Sequence, residues 1–268
     1  MAGTLSIKDC AERLGVHYMT AYRYVRLGRL RATKVGAEWR VLPSDLEGLL
    51  AEAALPTHRG SADWSGRLED RLLAGDEGGS WAVVEAGLAS GLDPIGIHVD
   101  ILAPALARIG AGWHTGEISV ADEHRATAVA TKIVGRLGPR FSPRGRRRGR
   151  IVIGTPPGER HVLSVAIVAD LFRAAGWDVI ELGADLPVDE FVLAVEKAAP
   201  VSAIAVSVGS SDSLVAARQL IAALKATIIS PVIVGGSAID QRTTTALGAD
   251  GSASDGRSAV VAVAALVG

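Results

Sequence analysis

The chain has 268 residues, enough for two or three small domains. A formal net charge of −1 excludes a molecule that coats nucleic acid with its whole surface, so any such contact must be local. Cys10 is the only cysteine, which excludes an intramolecular disulfide and a cysteine cluster for zinc or iron–sulfur.

Aromatic residues make up only 4% of the chain, so the cores are expected to be built from small aliphatic side chains. The opening Met-Ala-Gly-Thr-Leu-Ser lacks the basic and apolar regions of a signal peptide. No uninterrupted apolar run reaches the roughly 18–20 residues of a spanning helix. A cytoplasmic protein without membrane contact is expected.

Residues 1–56 form the first block. Leu5–Val16 reads as a capped helix, with Ser6 and Asp9 spaced nearly as a capping box and Gly15 at the following turn. His17–Leu27 makes a second helix with Tyr18, Thr20, Arg23 and Arg26 on its polar side. Arg29–Val41 alternates like a hairpin with Gly36 at its tip, and Asp45–Ala54 closes the block as a helix. Pro56–Ser61 is linker-like. This block resembles the winged helix-turn-helix of the MerR superfamily in its short, excisionase-like form. The resemblance implies binding to a double-stranded DNA operator. Tyr18, Thr20, Arg23 and Arg26 would then lie at the major groove, and Lys34 and Arg40 of the wing at the backbone.

Residues 62–141 carry only helical signals. Gly78-Gly79, Ser90–Pro94 and Trp113–Gly116 divide them into about four helices, a four-helix bundle. Residues 142–150, rich in arginine, read as a hinge.

Residues 150–268 change character to alternating apolar strands and helices. Strands are expected at Ile151–Gly154, Trp177–Leu182, Ala203–Ser207, Pro231–Val234 and Gly251–Ala253, with helices between them. Continuous apolar strands with helical crossovers indicate a doubly wound parallel sheet, and ligands in such sheets sit at the carboxyl ends of the strands. The whole chain therefore reads as a multidomain α plus α/β protein.

The carboxyl-end loops hold Glu159 and His161, then Ser207 and Gly209, then Gly235 and Gly236. A loop histidine alone is more often structural. A carboxylate two residues away can orient its imidazole, as around a metal-bound histidine. Small residues at two neighbouring strand ends leave a slot for a narrow group. The set resembles the cobalamin-binding Rossmann-like fold, whose pattern is Asp-x-His-x-x-Gly, then Ser-x-Leu, then Gly-Gly. That resemblance implies His161 as the lower axial cobalt ligand, with the displaced nucleotide tail in the slot. Glu159 stands here for Asp, Ser164 for Gly and Gly209 for Leu; Ser164 departs most, because glycine permits close backbone approach.

Ahead of it, Trp113-His114 is followed by Glu123-His124. The Trp-x9-Glu-His spacing resembles the light-sensing cobalamin regulators of the CarH/LitR type. By that resemblance Trp113 packs against the upper adenosyl group of adenosylcobalamin and Glu123 and His124 surround it. His114 then takes the upper cobalt position after photolysis. The chain is expected to be a regulator, a repressor by the same resemblance, and not an enzyme. It would form a homotetramer on DNA in the dark and dissociate in light. Three alternatives stand beside it: a light-independent cobalamin sensor, a corrinoid methyl carrier, and a regulator that has lost cobalamin.

Overall fold

The structure, a computed structural model, describes residues 4–14, 21, 25, 30–36, 38–46, 63–141, 145 and 147–267. They fall into two compact units, Met1–Ala62 and Asp63–Gly268.

In the first unit β1 (Leu5–Ser6) runs directly into α1 (Ile7–Leu14), followed by β2 (Thr33–Val35) and β3 (Glu38–Val41). The helix starts at Ile7 because Ser6 and Asp9 cap it reciprocally. The Asp9 N–H donates to Ser6 Oγ at 3.2 Å, and the Ser6 N–H donates to Asp9 Oδ2 at 2.9 Å. The three strands are antiparallel in the order β1-β3-β2, with Ser6 opposite Arg40 and Lys34 opposite Trp39. Gly36, at φ +62°, makes the expected hairpin tip. Ile7, Cys10, Leu30, Val41 and Leu46 form the core of the unit. Of the expected second helix only Ala21 and Val25 are described, and both are buried. Tyr18, Thr20, Arg23 and Arg26 lie outside the described residues. The described part thus holds the first helix and the hairpin, not a complete winged helix-turn-helix.

The second unit begins with four helices: α2 (Trp64–Leu73), α3 (Glu77–Ala89), α4 (Pro94–Thr115) and α5 (Val120–Leu137). Each starts where a polar side chain caps an N–H three residues ahead, from Asp63, Asp76, Asp93 and Ser119 in turn. Two expected breaks move. Gly78-Gly79 lies in the first turn of α3, where a Cβ on Gly79 would collide with the Asp76 cap. Trp113–Thr115 belongs to the last turn of α4, which stops at Gly116 in the left-handed conformation, φ +79°. One helix is longer and more apolar than the uninterrupted runs of the sequence suggest. The 22 residues of α4 are long and apolar enough, by length and composition, to cross a bilayer. Reading uninterrupted runs missed this because His98, Asp100 and Arg108 punctuate the helix. Its apolar residues Ile97, Ile101, Leu102, Ala105 and Ile109 are buried in the bundle core. Within α4, Ile97–Leu102 widens into a π-helical turn.

The remaining residues form β4 (Arg150–Gly154), α6 (Val162–Ala174), β5 (Asp178–Glu181), α7 (Val188–Ala198), β6 (Ala203–Ser207), α8 (Leu214–Thr227), β7 (Val232–Gly235), α9 (Gln241–Leu247), β8 (Gly251–Ala253) and α10 (Gly256–Val267). The strands are parallel in the order β5-β4-β6-β7-β8. Val152, Val206 and Val232 face Phe191, Leu220 and Leu224 on one side. Ile151, Ile153 and Ile233 face Val165, Phe172 and Val263 on the other. Both faces are covered, as a doubly wound sheet requires. The strand order reverses between β4 and β6, so the ligand crevice of this topology lies above their carboxyl ends.

Helix α6 joins the two halves. Its Leu163, Ile167 and Leu171 share a core with Ile133, Leu137 and Phe141 of the bundle side. Two polar contacts reinforce the seam, both from the π-helical turn. His98 Nε2 lies 3.0 Å from Asp170 Oδ2, and Arg257 of α10 makes two 2.9 Å hydrogen bonds to Asp100.

Candidate cofactor-binding site

The loop after β4 carries Glu159 and His161 to the crevice. Glu159 is 1% exposed, and the hydrogen bonds of its carboxylate all come from N–H groups. Its Oε2 accepts from the backbone N–H groups of Gly209 and Ser210 at 2.7 and 2.8 Å, on the loop after β6. Its Oε1 accepts from His161 Nδ1 and, at 3.2 Å, from the His161 backbone N–H. One carboxylate therefore spans the topological switch point. Burial works to raise the Glu159 pKa, but the hydrogen bonds from His161 and Ser210 outweigh it and hold it at about 2. The same contact raises the His161 pKa against the effect of its own burial, and the charge of Glu123 adds to it.

With Nδ1 committed to Glu159, the other ring nitrogen of His161 is the one left to bind a metal, on an imidazole whose side chain is 60% exposed. That donor set fits a cobalt-bearing cofactor. Gly209 serves the arrangement directly, since a Cβ on it would stand 2.8 Å from His161 Nδ1. Gly235 pairs with Ser207, and Gly236, at φ +126°, brings its backbone against the Val208 carbonyl, where a Cβ would collide. The glycine pair thus seats one loop on the next, and the room at Gly209 is taken up by the imidazole. Ser207, nearly buried at the end of β6, meets Ser164 hydroxyl to hydroxyl at 2.9 Å. The Ser164 hydroxyl also donates to the His161 carbonyl at 2.6 Å.

On the bundle, Trp113 is 46% exposed and meets the neighbouring ring of His114 edge-on, centroids 6.5 Å apart. Glu123, in the first turn of α5, accepts from Thr127 Oγ1 at 2.7 Å and lies 2.9 Å from His124 Nδ1. The structure brings Glu123 into electrostatic range of His161, so the first turn of α5 and the β4 loop belong to one neighbourhood. Trp113 and His114 contribute an open aromatic surface at the end of α4. A cavity of about 260 Å³ between α5 and α6 is lined by Thr131, Val134, Gly135, Val162, Leu163 and Ala166 among others. None of the expected cofactor-binding residues lines it.

Comparison with known proteins now bears on the chemistry. Residues 149–264 match the family described as B12 binding domain, residues 64–137 match a second family of the same description, and residues 4–54 match a helix-turn-helix domain. The chain is a cobalamin-binding protein with a helix-turn-helix segment. A corrinoid protein of Desulfitobacterium hafniense is 28% identical over 202 residues, 72% of this chain and 92% of that protein. Trimethylamine corrinoid protein 1 of Methanosarcina acetivorans is 28% identical, covering 69% of this chain and 88% of that one. The fold is shared with the monomethylamine corrinoid protein of Methanosarcina barkeri, with a TM-score of 0.66, 18% identity, and coverage of 74% of this chain and 95% of that chain.

Reading the sequence missed three parts of this cobalamin-binding protein. The N–H groups of Gly209 and Ser210 that hold Glu159 are backbone atoms, which no side-chain motif reveals. Asp185, which ties down the Glu159 loop, carried a readable signal in Gly183-Ala184-Asp185-Leu186-Pro187, a run of turn residues. His98, on α4 of the bundle, is fully buried. Its partner is 72 residues away.

Proposed function

We propose that the chain is a corrinoid-dependent transcriptional regulator, in which a cobalamin-holding body governs a DNA-reading head. The observation that carries this is the joining of the two parts. The Desulfitobacterium relative spends 92% of its length on 72% of this chain, and a helix-turn-helix match accounts for residues 4–54 here. Lys34, exposed on β2, and Arg40, on the adjoining β3, are the described groups assigned to DNA backbone; Tyr18, Thr20, Arg23 and Arg26 complete the assignment from outside the described residues.

His161 would hold the cobalt of a bound corrinoid, kept in one tautomer by Glu159. Ser207, Gly209, Gly235 and Gly236 shape the loops beneath. Trp113 would offer a flat apolar cover to it, and His114, Glu123 and His124 would supply polar groups nearby. A bound cobalamin supplies a cobalt–carbon bond that visible light or a nucleophile breaks. In the finer form of this reading the cofactor is adenosylcobalamin and light is the signal. A dark tetramer then binds the operator through several heads at once and falls apart when illuminated, and avidity makes the switch steep.

A second reading, a corrinoid methyl carrier, is favoured by the relatives, which are named as trimethylamine and dimethylamine corrinoid proteins. One experiment separates the readings. The full chain is loaded with adenosylcobalamin or methylcobalamin, and its absorption spectrum, size-exclusion elution and retention of genomic operator fragments are followed in the dark and after green light. Light-dependent size and DNA retention with the adenosyl form support the photoreceptor. DNA retention that depends on cobalamin but not on light leaves a cobalamin sensor. Corrinoid binding without DNA retention in any state supports the carrier and overturns the regulator.

A further inference from the structure

Asp185 stands at φ +57°, the single non-glycine residue at positive φ among the described residues. Left-handed backbone is sparsely used by residues with a Cβ, and aspartate and asparagine are among the few that tolerate it. Such positions persist where surrounding contacts over-determine them. Three hydrogen bonds do so here, and all three go to the loop that presents Glu159 and His161. The Asp185 N–H donates to the Glu159 carbonyl and to Thr155 Oγ1, each at 2.9 Å. Asp185 Oδ1 accepts from the Gly158 N–H at 2.6 Å. Thr155, fully buried, completes the knot by donating from Oγ1 to the same Glu159 carbonyl at 2.7 Å.

The consequence is positional. The Glu159 side chain reaches across the crevice to the Gly209 and Ser210 N–H groups, while its backbone carbonyl is held from the opposite side by Asp185 and Thr155. The carboxylate that sets the His161 tautomer is therefore anchored at both ends. We infer that Asp185 is a positioning residue for the axial histidine, acting through Glu159, so that the loop after β5 controls how firmly His161 is presented to cobalt. This rests on the reading of His161 as the cobalt ligand.

The left-handed φ and the acceptor oxygen are separable by substitution. Asp185→Asn keeps both, because asparagine tolerates the conformation and retains Oδ1. Asp185→Gly keeps the conformation and loses the acceptor. Asp185→Ala loses both. The full-length variants are folded without corrinoid, checked by circular dichroism, and loaded in the dark with adenosylcobalamin. Binding is measured by equilibrium dialysis, and axial nitrogen coordination by electron paramagnetic resonance of the Co(II) form of bound cobinamide, which carries no benzimidazole nitrogen of its own. Without corrinoid, protection of the Gly158 amide from hydrogen exchange reports the knot itself.

Outer partners of metal ligands are worth roughly 10–100-fold in affinity. We expect Asp185→Ala to weaken binding by about tenfold and to give a mixture of histidine-bound and histidine-free cobalt, with Gly158 exchanging faster. Asp185→Gly is expected to fall between it and wild type, and Asp185→Asn to restore the wild-type spectrum. Asp185→Ala with unchanged nitrogen coordination and affinity, while His161→Ala abolishes that coordination, would overturn the role of Asp185. Nitrogen coordination that survives His161→Ala would instead overturn the ligand assignment on which it rests.

Discussion

His98 Nε2 meets Asp170 Oδ2 at 3.0 Å with both side chains withdrawn from solvent, across the seam between the helical bundle and the sheet. Asp170 also accepts from Arg173 at 3.0 Å, and Arg173 continues to Glu181 at the edge strand. His98 stacks on Phe141 with centroids 4.6 Å apart, and its Nδ1 has no hydrogen-bond partner among the described residues. Removing the acceptor leaves both ring nitrogens of a buried histidine unpaired. Asp170→Ala should cost about 2 kcal/mol of stability, with Asp170→Asn costing less because an amide oxygen still accepts. Urea denaturation of the two variants beside wild type checks the order; equal midpoints for all three would remove the contact from the list of stabilising ones.

Glu159 and His161 have pKa values driven apart, the carboxyl down to about 2 and the imidazole up from its ordinary 6.5. The sign follows from linkage. The imidazole's contribution to stability is complete below 6.5 and is lost as pH rises through its raised folded value. The carboxylate's contribution is complete above 4.5 and is lost as pH falls toward about 2. Without corrinoid the pair should therefore stabilise most between these two ordinary values. Glu159→Gln should bring the His161 pKa back down and flatten the alkaline decline. Proton NMR titration of His161 in both proteins, with denaturation midpoints across about pH 5 to 9, tests this. An unmoved His161 titration in the variant would contradict it.

Ser164 and Ser207 bridge α6 to the end of β6 at 2.9 Å, where the resemblance to cobalamin-binding folds places the nucleotide tail. Seating a tail there competes with this hydrogen bond, whose net worth is about 1 kcal/mol. Ser164→Gly should bind cobalamin about fivefold more tightly while leaving tail-less cobinamide unchanged. The ratio of the two dissociation constants is the informative quantity, since it cancels any general effect of glycine on α6. A ratio equal to wild type would mean that the tail does not pass these hydroxyls.

Lys34 sits exposed on β2 of the hairpin. If it meets a phosphate, Lys34→Ala should weaken operator binding and lower the slope of log affinity against log salt by about 0.9. Arg23→Ala should do the same if it contacts backbone, and should relax sequence preference if it contacts a base. Fluorescence anisotropy over a salt series measures both, and wild-type slopes in both variants would exclude these two side chains from the interface.

Much of the sheet half was legible because strands buried on both faces are continuous apolar runs. Ala203–Ser207 stands where the pattern puts it, and Gly251–Ala253 likewise. Helix ends were harder. Gly78-Gly79 looks like a break, yet Asp76 turns it into the start of a helix by supplying the missing acceptor. The site was legible as residue types and spacing, so Glu159 and His161 could be paired from two positions in sequence. The features that organise them were not, because they depend on the sign of one φ at Asp185, on main-chain N–H groups, and on a histidine whose partner is remote in the chain.

Helix α6 has His161 as the residue before its first turn and Asp170 in its third. Nine residues of α-helix measure about 13.5 Å, and a helix neither stretches nor folds over that length. The imidazole that faces the crevice and the carboxylate that grips the bundle are therefore two ends of one rigid lever. Asp170 in turn meets His98 at 3.0 Å, so one short helix links the crevice to the bundle. His98 lies in the widened π turn of the helix that ends in Trp113, so the helix that starts beside His161 and the helix that carries Trp113 are tied to each other at one buried polar contact.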